Sequence, residues 1–171
     1  IWRTDEIRHE KPDPFDEAKF VLYYLSQTVS NALPDLFDTI AATLGDIGQQ
    51  LNPEQVPIRF GSWVGGDRDG NPNVSPETTT AVLNLQRDRA ITLLIAELRE
   101  LYSDASMSGR LYKISAEIAA TIESDQINHP ELLTPARLIE PYRLRCAVMT
   151  KRLEATRARG DGGYQSPGEL S

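Results

Sequence analysis

Four glycines fall within the thirteen residues from Phe60 to Pro72, and this stretch constrains the backbone more than any other part of the chain. Glycine permits positive φ and close approach of the backbone to another group. The two aspartates and the asparagine of the stretch can hydrogen-bond their own backbone, and the proline holds the residue before it in extended geometry. The sequence therefore predicts a rigid glycine-rich loop, with Trp63 at its edge.

Arg68 lies between Asp67 and Asp69, and two roles are open to it. The neighbouring carboxylates can neutralise it, so that it locks the turn, or its planar fork of donors can meet an anion. Composition does not choose between them.

Two common loop motifs do not fit this stretch. A calcium loop would need a bidentate glutamate where Thr78 stands, and its glycine would not follow Asp69 directly. A phosphate-binding P-loop would need Lys-Ser/Thr after Gly70, where the chain has Asn71-Pro72.

The overall composition is that of an ordinary globular protein, with 40% hydrophobic and 25% charged residues. A net charge of -7 argues against a nucleic-acid surface, so an anionic substrate would have to be met by local arginines. One cysteine excludes an intrachain disulfide, and neither a secretory leader nor an apolar run of about 18 residues is present. We therefore expect a cytoplasmic protein that binds no membrane. Its start at Ile1, without methionine, leads us to expect a fragment.

Apolar residues recur mostly at helical spacing, which predicts a mainly α fold with at most one or two short strands. Asp13-Pro14, Ser75-Pro76 and Glu140-Pro141 are typical helix starts. The predicted elements of this single helical fragment (1–171) are a helix pair across 13–48 whose second member starts at Pro34, a short strand and the glycine-rich loop across 56–74, helices across 75–103, 115–124 and 140–159, and a loose tail across 160–171.

Cys146 shares a helical face with Tyr142, Met149 and Leu153, which indicates a small core residue rather than a nucleophile. His9 lies among charged residues and His129 precedes a proline in a turn-like setting. A lone histidine among charged residues, such as His9, is typical of a solvated surface rather than of a catalytic site.

The segment from Ser62 to Pro72 closely resembles the SWxGGDRDGNP signature of the phosphoenolpyruvate carboxylase family, with Val64 where methionine is usual. Segments around Trp2–Arg8, Pro14–Ala18 and Glu140–Arg143 resemble further family segments in the same order. The resemblance implies a piece of a large, α-rich homotetramer that contains an eight-stranded barrel.

The same resemblance implies a carboxy-lyase that joins bicarbonate to phosphoenolpyruvate, giving oxaloacetate and phosphate, and so replenishes the tricarboxylic acid cycle. Family members are allosteric and use Mg2+ or Mn2+. The family's catalytic histidine motif is absent here and its metal ligands belong to other segments. We therefore expect no catalytic or metal-binding residue in this sequence, and no activity from the fragment alone.

The resemblance also implies roles for residues of the loop. Trp63 would line the pocket against the methylene end of phosphoenolpyruvate, although it could instead plug the core behind the loop, and Arg68 would shape the site or bind an anion. An alternative function is a non-catalytic helical module that binds an anion or a protein partner through residues 65–72. The residues expected to fix loop geometry are Gly65, Gly66, Asp67, Asp69, Gly70 and Asn71.

Overall fold

The computed structural model describes residues 13–52, 58–67, 71–106, 108–109 and 114–170. The chain divides into two units, residues 1–89 and 90–171. The described residues are mainly helical and contain no β-strand. A mainly α fold is thereby confirmed, while the strand predicted near Ile58 does not form within the described part of its range.

The first unit begins with α1 (Pro14–Tyr24), which starts at the predicted Asp13-Pro14 pair. The side chain of Asp13 accepts a hydrogen bond of 2.7 Å from the amide of Asp16. Such a bond satisfies one of the amides that lack a partner in the first turn of a helix.

A π-helical segment (Leu25–Val29) follows α1 and leads directly into α2 (Ser30–Asp46). Within it, the buried hydroxyl of Ser26 donates to the carbonyl oxygen of Leu22 at 2.6 Å. A hydroxyl that bonds a carbonyl one turn back competes with the helix amides and disturbs the regular ladder. The polypeptide continues in helical conformation through this segment.

The predicted helix pair across 13–48 is therefore wrong, because no turn separates its two halves. Pro34 lies inside α2 rather than at the start of a new helix. A proline in a helix leaves one carbonyl without its amide donor, but Pro34 is exposed, so water can bond that carbonyl. The helix ends where Gly48 adopts a φ of 72°.

The longest helix of the described residues is α3 (Pro76–Asp104). Its residues up to 89 belong to the first unit, and those from 90 onwards belong to the second. The second unit continues with α4 (Ala116–Asn128), a 3-10 turn (Pro130–Leu132) and α5 (Pro135–Ile139). It ends with α6 (Pro141–Ala158) and a 3-10 turn (Pro167–Glu169). The helices predicted at 75–103, 115–124 and 140–159 correspond to α3, α4 and α6.

The core of the second unit lies on two sides of α6. Leu144 and Val148 are fully buried and pack with Ile122 of α4. The other side of α6 packs against α3 and the segment after α6, in a cluster of Ile91, Ile95, Leu98, Cys146, Leu153 and Tyr164. The interpretation of Cys146 as a core residue is confirmed.

The segment after α6, expected to be loose, packs against that helix instead. The amide of Tyr164 donates to the hydroxyl of Thr156 at 2.7 Å, and the ring of Tyr164 is buried in the core. Leu170 packs against the same cluster. These contacts join residues distant in sequence, which local composition does not reveal.

Candidate functional site

The tryptophan of the glycine-rich loop opens a tight turn. The carbonyl oxygen of Trp63 accepts hydrogen bonds from the amides of Gly66, at 2.9 Å, and Asp67, at 3.2 Å. Gly65, at the third position of this turn, has a φ of 75°, which a residue with a side chain rarely adopts. The amide of Val64 also donates to the hydroxyl of Ser62 at 3.2 Å. The backbone from Ser62 to Asp67 therefore forms one hydrogen-bonded unit, which we call the tryptophan turn.

The tryptophan turn lies directly on the first part of α3. A Cβ atom added to Gly65 would lie 2.6 Å from a methyl carbon of Val82, a residue that is only 1% exposed. The hydroxyl of Thr79 donates to the carbonyl oxygen of Gly65 at 2.7 Å. Position 65 therefore requires glycine for two reasons: its φ is positive, and its backbone lies too close to Val82 for a side chain.

A second turn precedes α3 and fixes where that helix starts. The side-chain oxygen of Asn71 accepts from the amide of Asn73 at 3.0 Å, and its carbonyl oxygen accepts from the amide of Val74 at 3.1 Å. Val74 is buried, and the hydroxyl of Ser75 accepts from the amide of Thr78 at 3.2 Å. Asn71 thus bonds the backbone of its own turn, and Ser75 caps the start of α3.

The indole of Trp63 is 82% exposed, although its backbone is firmly held. Among the described residues Trp63 fills no core. Whether it lines a substrate pocket or plugs a core behind the loop stays a prediction. An exposed tryptophan on a hydrogen-bonded turn offers an apolar surface for contact with another molecule or another segment of protein.

The structure brings together only part of the predicted site. Trp63, Gly65, Gly66 and Asp67 lie in the tryptophan turn, and Asn71 lies in the turn before α3. Arg68, Asp69 and Gly70 fall outside the described residues. Whether Arg68 locks the turn or meets an anion therefore stays a prediction.

Sequence reasoning missed the parts that Thr79 and Val82 play at the site. A signal was present, because Ser75, Thr79 and Val82 follow the helical spacing of one face from the predicted cap. A glycine pair beside a helix start also calls for a close contact, but the sequence does not say which helix residue supplies it.

No metal site appears in the part of the chain that the structure describes, where no three His, Cys, Asp or Glu side chains group together. His129 lies at the C-terminal end of α4, with its Nδ1 3.4 Å from the carboxylate of Glu131. Glu131 also pairs with Lys151, and the hydrogen bond from Lys151 lowers the pKa of the glutamate. Glu131 and Lys151 thus form an ion pair at the surface.

The second unit contains an open cavity of about 610 Å³ between α4, α6 and the glycines after α6. Its charged groups already neutralise one another. Arg145 donates to both carboxylate oxygens of the buried Asp125 at 3.3 Å, and Arg152 pairs with Glu169 at 3.1 Å. The cavity therefore presents no surplus charge for an anionic ligand, and the tryptophan turn is the better candidate site.

None of the helices in the described ranges is both long and apolar enough to cross a membrane.

Comparison with known proteins agrees with the signature in the glycine-rich loop. The family model for phosphoenolpyruvate carboxylase matches residues 1–167. A phosphoenolpyruvate carboxylase from Synechocystis sp. is 37% identical over 164 residues, which cover 94% of this chain and 16% of that protein. Those from Parasynechococcus marenigrum and Chromohalobacter salexigens are 35% and 39% identical, covering 98% and 94% of this chain and 17% of each relative.

The chain thus spans about a sixth of the length of the curated relatives it matches. The match runs through both units and includes the tryptophan turn, the start of α3 and nearly all of the packed segment after α6. This chain belongs to the phosphoenolpyruvate carboxylase family.

Proposed function

We propose that this chain is one segment of a phosphoenolpyruvate carboxylase, in which the tryptophan turn forms part of the wall that contacts phosphoenolpyruvate. The observation that carries the proposal is the 82% exposure of Trp63 on a backbone held by its own hydrogen bonds and by α3. A rigid support lets an apolar side chain keep a fixed position beside a reacting group. That is what a substrate wall requires.

The reaction proposed for the intact enzyme joins bicarbonate to phosphoenolpyruvate and yields oxaloacetate and phosphate. An enolate formed on the way would be destroyed by proton transfer from water. The indole of Trp63 would cover the methylene end of the substrate and exclude water there. Arg68 would bind the negative charge of the substrate or shape the loop. The glycines, the aspartates and Asn71 would fix the backbone path of the loop.

Further parts of the proposal concern the intact enzyme as a whole. It is a cytoplasmic, allosteric homotetramer that binds neither nucleic acid nor membrane. It uses Mg2+ or Mn2+, held by ligands in other segments of the enzyme. The catalytic histidine likewise belongs to another segment, so this chain alone has no carboxylase activity.

Exposed apolar side chains on the first helices support the assignment to a larger protein. Phe20, Tyr23 and Tyr24 of α1 and Leu36 of α2 each leave over two fifths of their surface accessible. Clustered apolar side chains on a surface commonly mark contact with other protein.

The test is oxaloacetate formation by the intact enzyme that carries this segment, with phosphoenolpyruvate varied at saturating bicarbonate and Mg2+. Trp63→Ala is expected to lower kcat/KM at least tenfold, about 1.4 kcal/mol of transition-state stabilisation, and Trp63→Phe is expected to lower it less. Thr80→Val, an exposed change on α3 at a hydroxyl that bonds its own helix, serves as the control. An inactive wild type would overturn the function and favour the binding-module alternative. A Trp63→Ala enzyme with wild-type kinetics would remove the tryptophan from the site.

A further inference from the structure

We propose that Thr79 is a positioning residue for Trp63, and that its hydroxyl holds the tryptophan turn in the orientation that the substrate site requires. The kinetic part of this inference rests on the proposed carboxylase function. Its structural part rests on the contacts between α3 and the turn alone.

The hydroxyl of Thr79 makes a shorter hydrogen bond to the tryptophan turn than to the carbonyl oxygen that helical threonines usually bond. Such a hydroxyl normally donates to the carbonyl oxygen four residues earlier. Thr80 does so with Pro76 at 2.9 Å, and Thr39 does so with Asp35 at 2.8 Å. Thr79 lies 3.2 Å from the carbonyl of Ser75 but only 2.7 Å from that of Gly65. Because a hydroxyl carries one proton, the shorter distance assigns it to the turn.

A second contact prevents the turn from sliding along the helix. The backbone of Gly65 lies so close to Val82 that a Cβ atom there would lie 2.6 Å from a methyl carbon. Val82 is almost fully buried, so it has little freedom to move away. Thr79 thus holds the carbonyl of Gly65, and Val82, about one helical turn further along α3, lies against the backbone of the same glycine.

The anchored backbone determines where the indole lies. The carbonyl of Trp63 bonds the amides of Gly66 and Asp67, so movement at Gly65 is passed through these bonds to Trp63. The indole is 82% exposed, so among the described residues no core packing holds it in place. Its position therefore depends on the turn, and the turn depends on Thr79 and Val82.

The first test is independent of activity and measures hydrogen exchange by mass spectrometry in the peptide that spans residues 62–67 of the intact enzyme. Thr79→Val keeps the shape of the side chain and removes the hydroxyl. We expect the amides of this peptide to exchange about 3- to 10-fold faster in that variant, the range set by one lost hydrogen bond. Thr79→Ser keeps the donor and should restore slow exchange. Thr80→Val, whose hydroxyl serves only its own helix, is the matched control.

The second test separates positioning from mere stability. Thr79→Val is expected to raise the KM for phosphoenolpyruvate about 3- to 10-fold and to leave the KM for bicarbonate within twofold, whereas Thr79→Ser and Thr80→Val stay within twofold for both. In a Trp63→Ala background, Thr79→Val should have no further effect, because the group that it positions is gone.

The outcomes decide the inference separately from the proposed function. Unchanged exchange in Thr79→Val would overturn the claim that the hydroxyl holds the turn. Faster exchange with kinetic effects that add to those of Trp63→Ala would show a role other than positioning Trp63, and would also overturn it. An enzyme without carboxylase activity would refute the proposed function, and the exchange measurement would still decide whether Thr79 holds the turn.

Discussion

The guanidinium carbon of Arg152 lies 3.9 Å from the centre of the Tyr164 ring, so a cation on α6 covers an aromatic side chain from the segment that follows α6. The same arginine donates to the carboxylate of Glu169 at 3.1 Å. Tyr164 also packs into the core with Leu153 and Cys146. These contacts explain why a segment rich in glycine and polar residues folds back on the helix.

Truncation of Tyr164 should destabilise the second unit strongly. The side chain is 9% exposed, and Tyr164→Ala would leave a cavity costing about 3–5 kcal/mol. Tyr164→Phe should behave differently, because the buried hydroxyl has no hydrogen-bond partner among the described residues. We expect this variant to match or exceed the wild type by up to about 1 kcal/mol. Urea unfolding followed by circular dichroism measures both, and a large loss in Tyr164→Phe would reveal a partner for the hydroxyl.

Gly163 is the glycine of this segment that is required for steric reasons. An added Cβ would lie 2.8 Å from the amide nitrogen of Thr156 and 2.9 Å from its Cα. Because backbone atoms of a helix cannot move aside easily, Gly163→Ala should cost about 1–3 kcal/mol of unfolding free energy. Gly160→Ala is the control, since its nearest such contact is 3.9 Å away, and we expect a change within about 0.5 kcal/mol. Equal effects of the two substitutions would contradict the close packing of Gly163.

Features that depend on a few neighbouring residues could be predicted from the sequence. Asp13 and Ser75 each accept a hydrogen bond from the amide three residues later, as their positions before a helix indicated. The mainly α fold followed from the spacing of apolar residues. The motif around Trp63 identified the family because eleven positions at fixed spacing leave little freedom for coincidence.

Features that depend on solvent exposure, or on which of several possible partners a group contacts, could not be predicted. The continuous helix through Pro34 depends on a solvent-facing proline and on a π segment in which Ser26 bonds a carbonyl. The packing of the segment after α6 depends on Tyr164 meeting Thr156 and Arg152. The donor role of Thr79 depends on which of two carbonyls lies closer, and that distance is set by the packing of the tryptophan turn on α3.

Arg143, in the segment that resembles a family motif, caps the C-terminal end of α3. Its Nε donates to the carbonyl oxygen of Tyr102 at 2.9 Å and its Nη2 to that of Ser103 at 3.2 Å. Its Nη1 donates to the Glu140 carboxylate at 2.8 Å, and its guanidinium lies 5.2 Å from the Tyr102 ring centre. Helix C-terminal carbonyls lack amide partners, and a cation there also favours the helix dipole.

Arg143→Lys should therefore destabilise the second unit by about 1–3 kcal/mol, because one ammonium group cannot reach three acceptors in the geometry of the planar fork. The measurement is urea unfolding of the wild type and the variant at the same ionic strength. Arg99→Lys, on the exposed face of α3, is the matched control and should change the free energy by less than about 0.5 kcal/mol. If lysine at position 143 were tolerated equally well, the capping role would have to be abandoned.

The buried thiol of Cys146 should make the stability of the chain depend on pH in the alkaline range. Burial raises the pKa of Cys146, outweighing the opposing influences of a backbone hydrogen bond and Arg145. The unfolded chain therefore releases the thiol proton first, at the ordinary thiol pKa of about 8.5, while the folded chain still holds it. Folding stability from the neutral thiol is fully present below that pH and falls as the pH rises toward the folded-state pKa. We expect the wild type to lose unfolding free energy relative to Cys146→Ala between about pH 8 and 10, with a constant difference between pH 6 and 7.5.

At neutral pH the native thiol should react with a thiol reagent far more slowly than in urea. A flat difference across pH 8 to 10, together with rapid labelling of the native chain, would show that Cys146 is accessible to water.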